Sequence, residues 1–221
     1  MSPLTPSLRL VVITLVVGCV VASLTGATAK ERAADNGIKA AVVNPARIIL
    51  ESKYYKAETD KLSKLQQDTA LIIRTWDGAY LLSAADQTTL GDLSVAEGSK
   101  EGLTAEKKAQ KQKLVDKGKA LFDELLTLQT KGALNQVEKD RLTEFARLQG
   151  DTKQRETDTA NTVKGQIDTK LAAIREKTDK DARTSLDKVA KKGGYTLVFS
   201  SEVLLYADKD ITDEVLSDLN K

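Results

Sequence analysis

Histidine is absent from this chain of 221 residues, and cysteine occurs once, at Cys19. If Cys19 lies in a leader that is removed, the exported chain has no Cys–His or Ser–His catalytic pair and no imidazole or thiolate metal site. No G-x-x-x-x-G-K-[ST] phosphate loop surrounds Gly193 and Gly194. We therefore expect no enzymatic activity, no cofactor and no bound metal ion.

Aromatic residues are also few, with one tryptophan, five tyrosines and three phenylalanines. Aromatic side chains supply much of the buried area of large globular cores, so one large core is not expected. Charged residues make up 30% of the chain, and its dominant residue types suit long helices. A net charge of only +2, together with export, argues against a nucleic-acid-binding protein.

The N-terminus has the pattern of an export signal. Arg9 is the only charged residue among residues 1–29, and residues 10–24 form an uncharged run of 15 residues. A membrane-spanning helix needs about 20 apolar residues, so this run is short. An A-x-A cleavage signal follows at Ala27-Thr28-Ala29, and we expect residues 1–29 to be a signal peptide. A loose match to a bacterial lipobox at Cys19 leaves lipidation as the alternative.

A strand and a long helix open the remaining chain. Ala40–Val43 is a short apolar run of strand character, and Asn44-Pro45 is a helix start with Asn as the cap. The pattern predicts one continuous helix from Pro45 to about Leu82. Its expected packing stripe is Leu50, Tyr54, Leu62, Leu65, Thr69, Ile72 and Trp76.

Residues 83–134 are interrupted by turn signals. Ser83 with Asp86 resembles a capping box, and two glycines within Glu97–Gly102 predict a loop. Thr104 is a candidate cap for a helix that reaches about Lys131. The end of the arm is expected between Ala96 and Leu134.

The last long helix is expected from Asn135, with Glu138 in a capping box, to about Lys191. Gly193-Gly194 then ends it. Between Gln149 and Thr162 the only apolar residue is Ala160, so this stretch is predicted to pack loosely.

The C-terminus returns to strand character at Tyr195–Phe199, followed by a turn at Ser201–Tyr206. A final helix is expected to be capped by Asp210 with Asp213, or by Thr212 alone. Two short strands are not stable by themselves, so we expect them to pair with each other and with copies from other chains.

These patterns predict a mainly α protein with a small β body. The body comprises residues 30–45 and 193–221, and the helical arm comprises residues 46–192 with an inserted middle at 83–134. We use the names body and arm in this sense throughout.

Both ends of this chain resemble the Skp/OmpH family of periplasmic chaperones. Ile38–Asn44 running into Arg47–Ser52 is similar to the family's first strand and helix start. Tyr195–Phe199 and Val203–Ala207 are similar to its second strand and turn, and Asp210-Ile211-Thr212 to the start of its closing helix.

The resemblance implies a homotrimeric β-body with long α-helical hairpin (coiled-coil) arms. It also implies that unfolded outer-membrane proteins are held between the arms without ATP, in the periplasm. The chain departs from the family in its longer arm and in its near-neutral charge, since the best-known member is strongly basic.

Three sets of candidate residues follow. Seven apolar residues are expected to form the core or the trimer interface of the body: Val42, Val43, Leu197, Val198, Phe199, Ile211 and Val215. A second set on the arm either contacts clients or packs within the hairpin, and the packing interpretation is favoured: Tyr54, Ile72, Ile73, Trp76, Tyr80 and Leu82.

The third set is a basic cluster: Lys107, Lys108, Lys111, Lys113, Lys117 and Lys119. Such runs are usually solvated helix faces. If this one lies at the end of the arm, it would instead contact anionic lipid head groups.

The sequence thus favours an ATP-independent periplasmic holdase chaperone. The alternative is a structural coiled-coil spacer or adaptor of the cell envelope, which lipidation at Cys19 would support.

Overall fold

The computed structural model describes residues 38–204 and 209–221. The predicted signal peptide, its expected cleavage site and Cys19 lie outside the described residues, as do the last two residues of the predicted turn, 205 and 206. The elements, in chain order, are β1 Ala40–Val43, α1 Pro45–Glu51, α2 Lys53–Asp77, α3 Ala84–Glu97, α4 Ala105–Thr130, α5 Gln136–Gly193, β2 Leu197–Ser200, β3 Lys209–Asp210 and α6 Thr212–Leu219. The prediction of a mainly α protein with a small sheet is confirmed.

The two ends of the chain meet in a three-stranded sheet of order β2-β1-β3. β1 pairs with β2 in parallel, with Ala40 opposite Leu197 and Val42 opposite Phe199. This confirms the expected pairing of the two strands that flank the helical region. β3 was not predicted, and it also pairs in parallel with β1.

One face of the sheet packs against α6, α1 and the end of α5. The buried cluster there is Ala41, Val43, Ile48, Ile211, Val215 and Leu216, with Leu186 and Val189 of α5 beside it. Burial of these side chains is the main favourable free energy of this small body.

The predicted cap of α6 is wrong in its geometry. The cap position is Ile211, and no side chain caps it. The Asp210 carboxylate instead accepts a hydrogen bond from the Thr212 backbone N–H at 2.8 Å, and the Thr212 hydroxyl accepts one from the Asn44 backbone N–H at 2.9 Å. Thr212 therefore joins the start of α6 to the end of β1, a long-range contact that local capping rules do not contain.

The predicted continuous helix from Pro45 to Leu82 is also wrong, because it breaks at Ser52 and ends at Asp77. Ser52 is buried and extended, and its hydroxyl caps α2 by accepting a hydrogen bond from the Tyr55 backbone N–H. The Lys53 backbone N–H donates to Asn220 Oδ1 at 2.7 Å. The end of α6 thus holds the α1–α2 junction in place, and Leu50 is left 58% exposed.

α2 and α5 form an antiparallel pair that makes the first part of the arm. Lys177 Nζ lies 4.3 Å from the centre of the Tyr54 ring near the body, and Lys153 Nζ lies 2.8 Å from Asp77 Oδ1 at the far end of α2. α5 has 58 residues, so it spans about 87 Å and continues well past α2. The capping box at Asn135 and Glu138 and the left-handed Gly194 at its C-terminus are confirmed. None of the helices formed by the described residues is long and apolar enough to cross a membrane.

α3 and α4 form a helical hairpin beside this pair. α3 folds back along α2, and a Cβ placed on Gly91 would come within 3.2 Å of Ile72 and Trp76. α4 runs antiparallel to α3, and its second half then packs against the start of α5 through Leu128 and Phe145. The loop at 131–135 therefore ends the α4–α5 pair, whereas the loop at 98–104 lies beside the middle of α2.

A matched pair of substitutions tests the body core. Val215 is fully buried, and Val215→Ala is expected to lower the free energy of unfolding by roughly 2 kcal/mol, because two methyl groups leave a cavity. Val137→Ala, at a side chain 77% exposed, is expected to change it by less than about 0.5 kcal/mol. Urea unfolding followed by circular dichroism measures both, and equal effects would contradict the core described here.

Candidate functional site

The second face of the sheet carries apolar side chains outside the buried cluster. Successive residues of a strand point to opposite faces, so Val42 lies opposite to Ala41 and Val43. In the parallel register, Leu197 and Phe199 share the face of Val42. We call these three residues the outer sheet face. Leu197 is 38% exposed, and Val42 and Phe199 are half-buried.

The seven predicted body residues therefore divide between the two faces. Val43, Val198, Ile211 and Val215 belong to the core of a single chain. The cluster formed by the described residues contains none of the three outer-face side chains. Strands of an all-parallel sheet are normally covered on both faces, which makes the outer sheet face the candidate contact with another copy.

The predicted arm patch is largely internal. Trp76 and Leu82 are buried and Ile72 and Ile73 are half-buried, whereas Tyr54 is 36% exposed beside the Lys177 ammonium. These positions fit the packing interpretation, and Trp76 and Leu82 are not accessible to a client in this conformation. Tyr80 is different, because it lines an open trough described below.

A buried polar cluster holds the turn between α2 and α3 against α5. The fully buried Gln87 donates from Nε2 to the carbonyls of Ala79 and Leu82 and to Thr152 Oγ1, each at 3.0 Å. The Trp76 indole N–H donates to the Gln87 carbonyl at 2.9 Å. We call Gln87, Thr152 and Arg155 the polar lock, since Arg155 also donates to Gln87 Oε1.

This lock contradicts the prediction that Gln149–Thr162 packs loosely, at least in its first half. Thr152 is 2% exposed and Glu156 is 8% exposed. The Arg155 guanidinium carbon lies 5.0 Å from the centre of the Trp76 ring, within the range of a cation–π contact. The seam is closed by polar and cationic side chains, which an apolar periodicity does not detect.

An open trough of about 510 Å³ lies between the end of α2, α3 and the middle of α4. α3 contributes Leu90 and Ser94, the turn after α2 contributes Ala79 to Leu81, and α4 contributes Leu114, Val115, Gly118 and Phe122. Phe122 and Leu126, one helical turn apart, are each 43% exposed. A second depression, which shares Arg74, Thr75, Ser94 and Lys111 with the first, continues the trough toward Leu71.

Gly118 keeps this trough open in the middle of a helix. A glycine in a helix interior is less favourable than alanine by about 1 kcal/mol, so its presence calls for a local reason. A Cβ at this position would contact only Leu82, at 3.8 Å or more. A methyl group would therefore fit, whereas a larger side chain would occupy the trough.

The six lysines of the basic cluster lie on the first half of α4, away from the loop at 131–135. Lys111 pairs with Glu97 at 2.5 Å, and Lys117 pairs with Asp86 at 2.7 Å. The lipid interpretation depended on a position at the end of the arm, and the structure does not place them there.

Ion pairs between helices lower the pKa values of carboxyl groups of the arm, among them Asp86 and Glu124. The Lys117 ammonium donates to Asp86 and holds the pKa of that carboxyl below its ordinary value of 3.8. The Arg141 guanidinium donates two hydrogen bonds to Glu124 and lowers the pKa of that carboxyl in the same way. Both pairs connect α4 to a neighbouring helix.

Sequence reasoning missed the polar lock and the trough. Nothing in the local pattern distinguishes Gln87 and Thr152 from exposed polar residues. Gly118 was detectable from the sequence, because a lone glycine inside a helical pattern often has a packing or functional role.

The fold and these surfaces define a class of helical protein in which a small sheet closes the two ends of a long helical arm. Residues 87–219 match the family described as Outer membrane protein (OmpH-like), and this match covers more than half of the chain. The chain belongs to the OmpH-like family, which confirms the resemblance noted from its sequence. The match includes α3 and α4, which the sequence analysis treated as inserted. No match was found among curated proteins or among solved structures.

The first prediction from this region concerns the polar lock. Gln87→Leu is expected to lower the free energy of unfolding by roughly 2–4 kcal/mol, because the Leu82 carbonyl, the Thr152 hydroxyl and the Arg155 guanidinium each lose a hydrogen-bond partner. The matched control is Gln154→Leu on the exposed side of α5, with an expected change within about 0.5 kcal/mol. Urea unfolding measures both changes, and a tolerated Gln87→Leu would show that the lock does not stabilise the arm.

The second prediction concerns pH. Asp86 and Glu124 have lower pKa values in the folded chain than in the unfolded chain, so their stabilisation is present above the unfolded pKa and is lost as the pH falls through the folded pKa. Since both pairs are partly exposed, we expect a combined loss of about 1 kcal/mol on going from pH 6 to pH 3. The double variant Asp86→Asn/Glu124→Gln should lose correspondingly less over the same range in urea unfolding, and an identical pH dependence would refute the assignment.

Proposed function

We propose that this chain is an ATP-independent periplasmic holdase that acts as a homotrimer and binds unfolded outer-membrane proteins between its arms. The observation that carries the proposal is the OmpH-like match over residues 87–219. At the level of the family, that match supports a periplasmic chaperone of outer-membrane proteins.

The outer sheet face supports self-association. An apolar face of a parallel sheet is expected to be covered, and a closed ring of identical subunits covers it in every copy. Leu197 is the most exposed of its three side chains and is the best position at which to disturb the contact.

The exposed apolar side chains of the arm support a holdase function. A protein that retains unfolded chains needs several weak apolar contacts rather than one deep pocket. The described part of the arm exposes large apolar side chains at six positions along its length: Leu50, Tyr54, Leu71, Phe122, Leu126 and Val137. Binding spread over such positions on three arms needs no nucleotide and allows release when the client folds elsewhere.

Native mass spectrometry of the chain purified from the periplasm, before and after dilution of a urea-unfolded outer-membrane barrel, tests this function. We expect three chains alone and three chains with one barrel. A trimer that ignores the barrel would favour the envelope spacer instead, and a monomer would refute the shared body.

A matched pair of variants tests whether the outer sheet face is the interface between the chains of the proposed trimer. Leu197→Glu buries an unpaired carboxylate in the proposed contact and is expected to give mainly monomers. Val137→Glu adds the same charge at an exposed position near the loop at 131–135, and it is expected to stay trimeric. If Leu197→Glu also stays trimeric, the outer sheet face is not the interface.

A further inference from the structure

The trough between α2, α3 and α4 is an apolar surface that intramolecular packing leaves open. Leu114 and Val115 are half-buried along it, and Phe122 lines it as an exposed side chain. Leu82, which lies beneath Gly118, is 1% exposed, so the bottom of the trough is firmly packed. The surface is therefore formed by ordered helices and does not depend on a loop.

Its dimensions fit an extended polypeptide. The α4 residues that line the trough run from Lys111 to Asp123, over which the helix rises about 18 Å, a length that an extended strand covers with about five or six residues. Alternate side chains of such a strand point to one face, so about three of them would enter the trough. A segment whose alternate residues are apolar matches this surface.

The positive charge at the rim of the trough favours a segment with acidic residues at its two ends. Three of the five charged residues that line the trough are basic: Arg74, Lys111 and Lys119. Of these five residues, Lys111 is paired with Glu97, and the acidic Asp77 is paired with Lys153. Lys107, Lys108 and Lys113 add positive charge along the same helix, whereas Lys117 is paired with Asp86.

The same charge argues against a second copy as the occupant. Two copies that met through this face would bring the lysines of both α4 helices together, and such like-charge contact is unfavourable. An unfolded client with acidic residues beside its apolar ones has the complementary charge.

We propose that each arm binds, in this trough, an extended client segment with alternating apolar residues and acidic flanks. This inference rests on the proposed holdase function and specifies where one client strand is held. It places a binding site where the end of α2 meets the α3–α4 hairpin.

The test uses the chain purified from the periplasm and a fluorescein-labelled peptide, Asp-Leu-Thr-Phe-Thr-Leu-Thr-Val-Asp. Gly118→Leu fills the trough without removing any existing side chain, and we expect it to weaken peptide binding by about tenfold or more in fluorescence anisotropy. Gly118→Ala adds only a methyl group beside Leu82 and is expected to bind within about twofold of the unchanged chain.

Two further comparisons keep the result interpretable. Gly165→Leu is the matched control, because Gly165 is exposed on α5 and a Cβ at that position would meet nothing within 4 Å. Phe122→Ser removes one wall of the trough without filling it and is expected to weaken binding as well. A peptide with lysine at both ends should bind several-fold more weakly than the acidic one.

The outcomes separate this inference from the proposed function. If the unchanged chain captures the unfolded barrel but Gly118→Leu and Phe122→Ser bind the peptide normally, the trough assignment is wrong and the holdase stands. If the unchanged chain captures no barrel, the holdase function itself fails. A change in the mass of the assembly caused by Gly118→Leu would identify the trough as a contact between copies and overturn the proposal.

Discussion

The parallel pairing of β1 with β2 is the constraint on which the rest of this structure depends. It joins Lys39 to Thr196, 157 positions apart in the chain, and everything between them must leave the sheet and return to it. Closing so long a loop has an entropic cost, which packing within the loop must offset. The antiparallel pairing of α2 with α5 meets this need, since it brings the chain back along its own path. Thr212 and Asn220 then fix the return by bonding to Asn44 and Lys53.

Within the arm, a polar contact replaces part of the expected apolar seam. Gln87 satisfies two turn carbonyls and the Thr152 hydroxyl, so the α2–α3 turn has one defined position against α5. A buried polar network of this kind specifies a single arrangement, because its donors and acceptors need particular partners, which an apolar seam of interchangeable leucines does not require. This arrangement directs α3 back along α2. α4 then packs along α3 and leaves the end of α2 uncovered, which opens the trough between the three helices.

The two candidate surfaces have different physical characters. The outer sheet face is flat and apolar, which suits permanent contact between copies. The trough is concave, with a basic rim, and suits transient contact with a flexible chain. In the proposed trimer each arm would contribute one trough, so three weak sites would act together on one client and raise its overall affinity without a deep pocket.

The sequence by itself determined four helix starts, since the caps at Asn44, Ser83, Thr104 and Asn135 lie where the structure has them, and the resemblance to the OmpH-like family was correct. These features are local, because caps and hydrophobic periodicity depend on neighbouring residues alone. Only the tertiary structure decided the break at Ser52, the burial of Thr152 and the opening at Gly118. Each of these depends on a partner distant in sequence, namely Asn220, Gln87 and Leu82. A polar residue has the same local pattern whether it faces water or a buried partner, and the partner's position is set only when the helices pack.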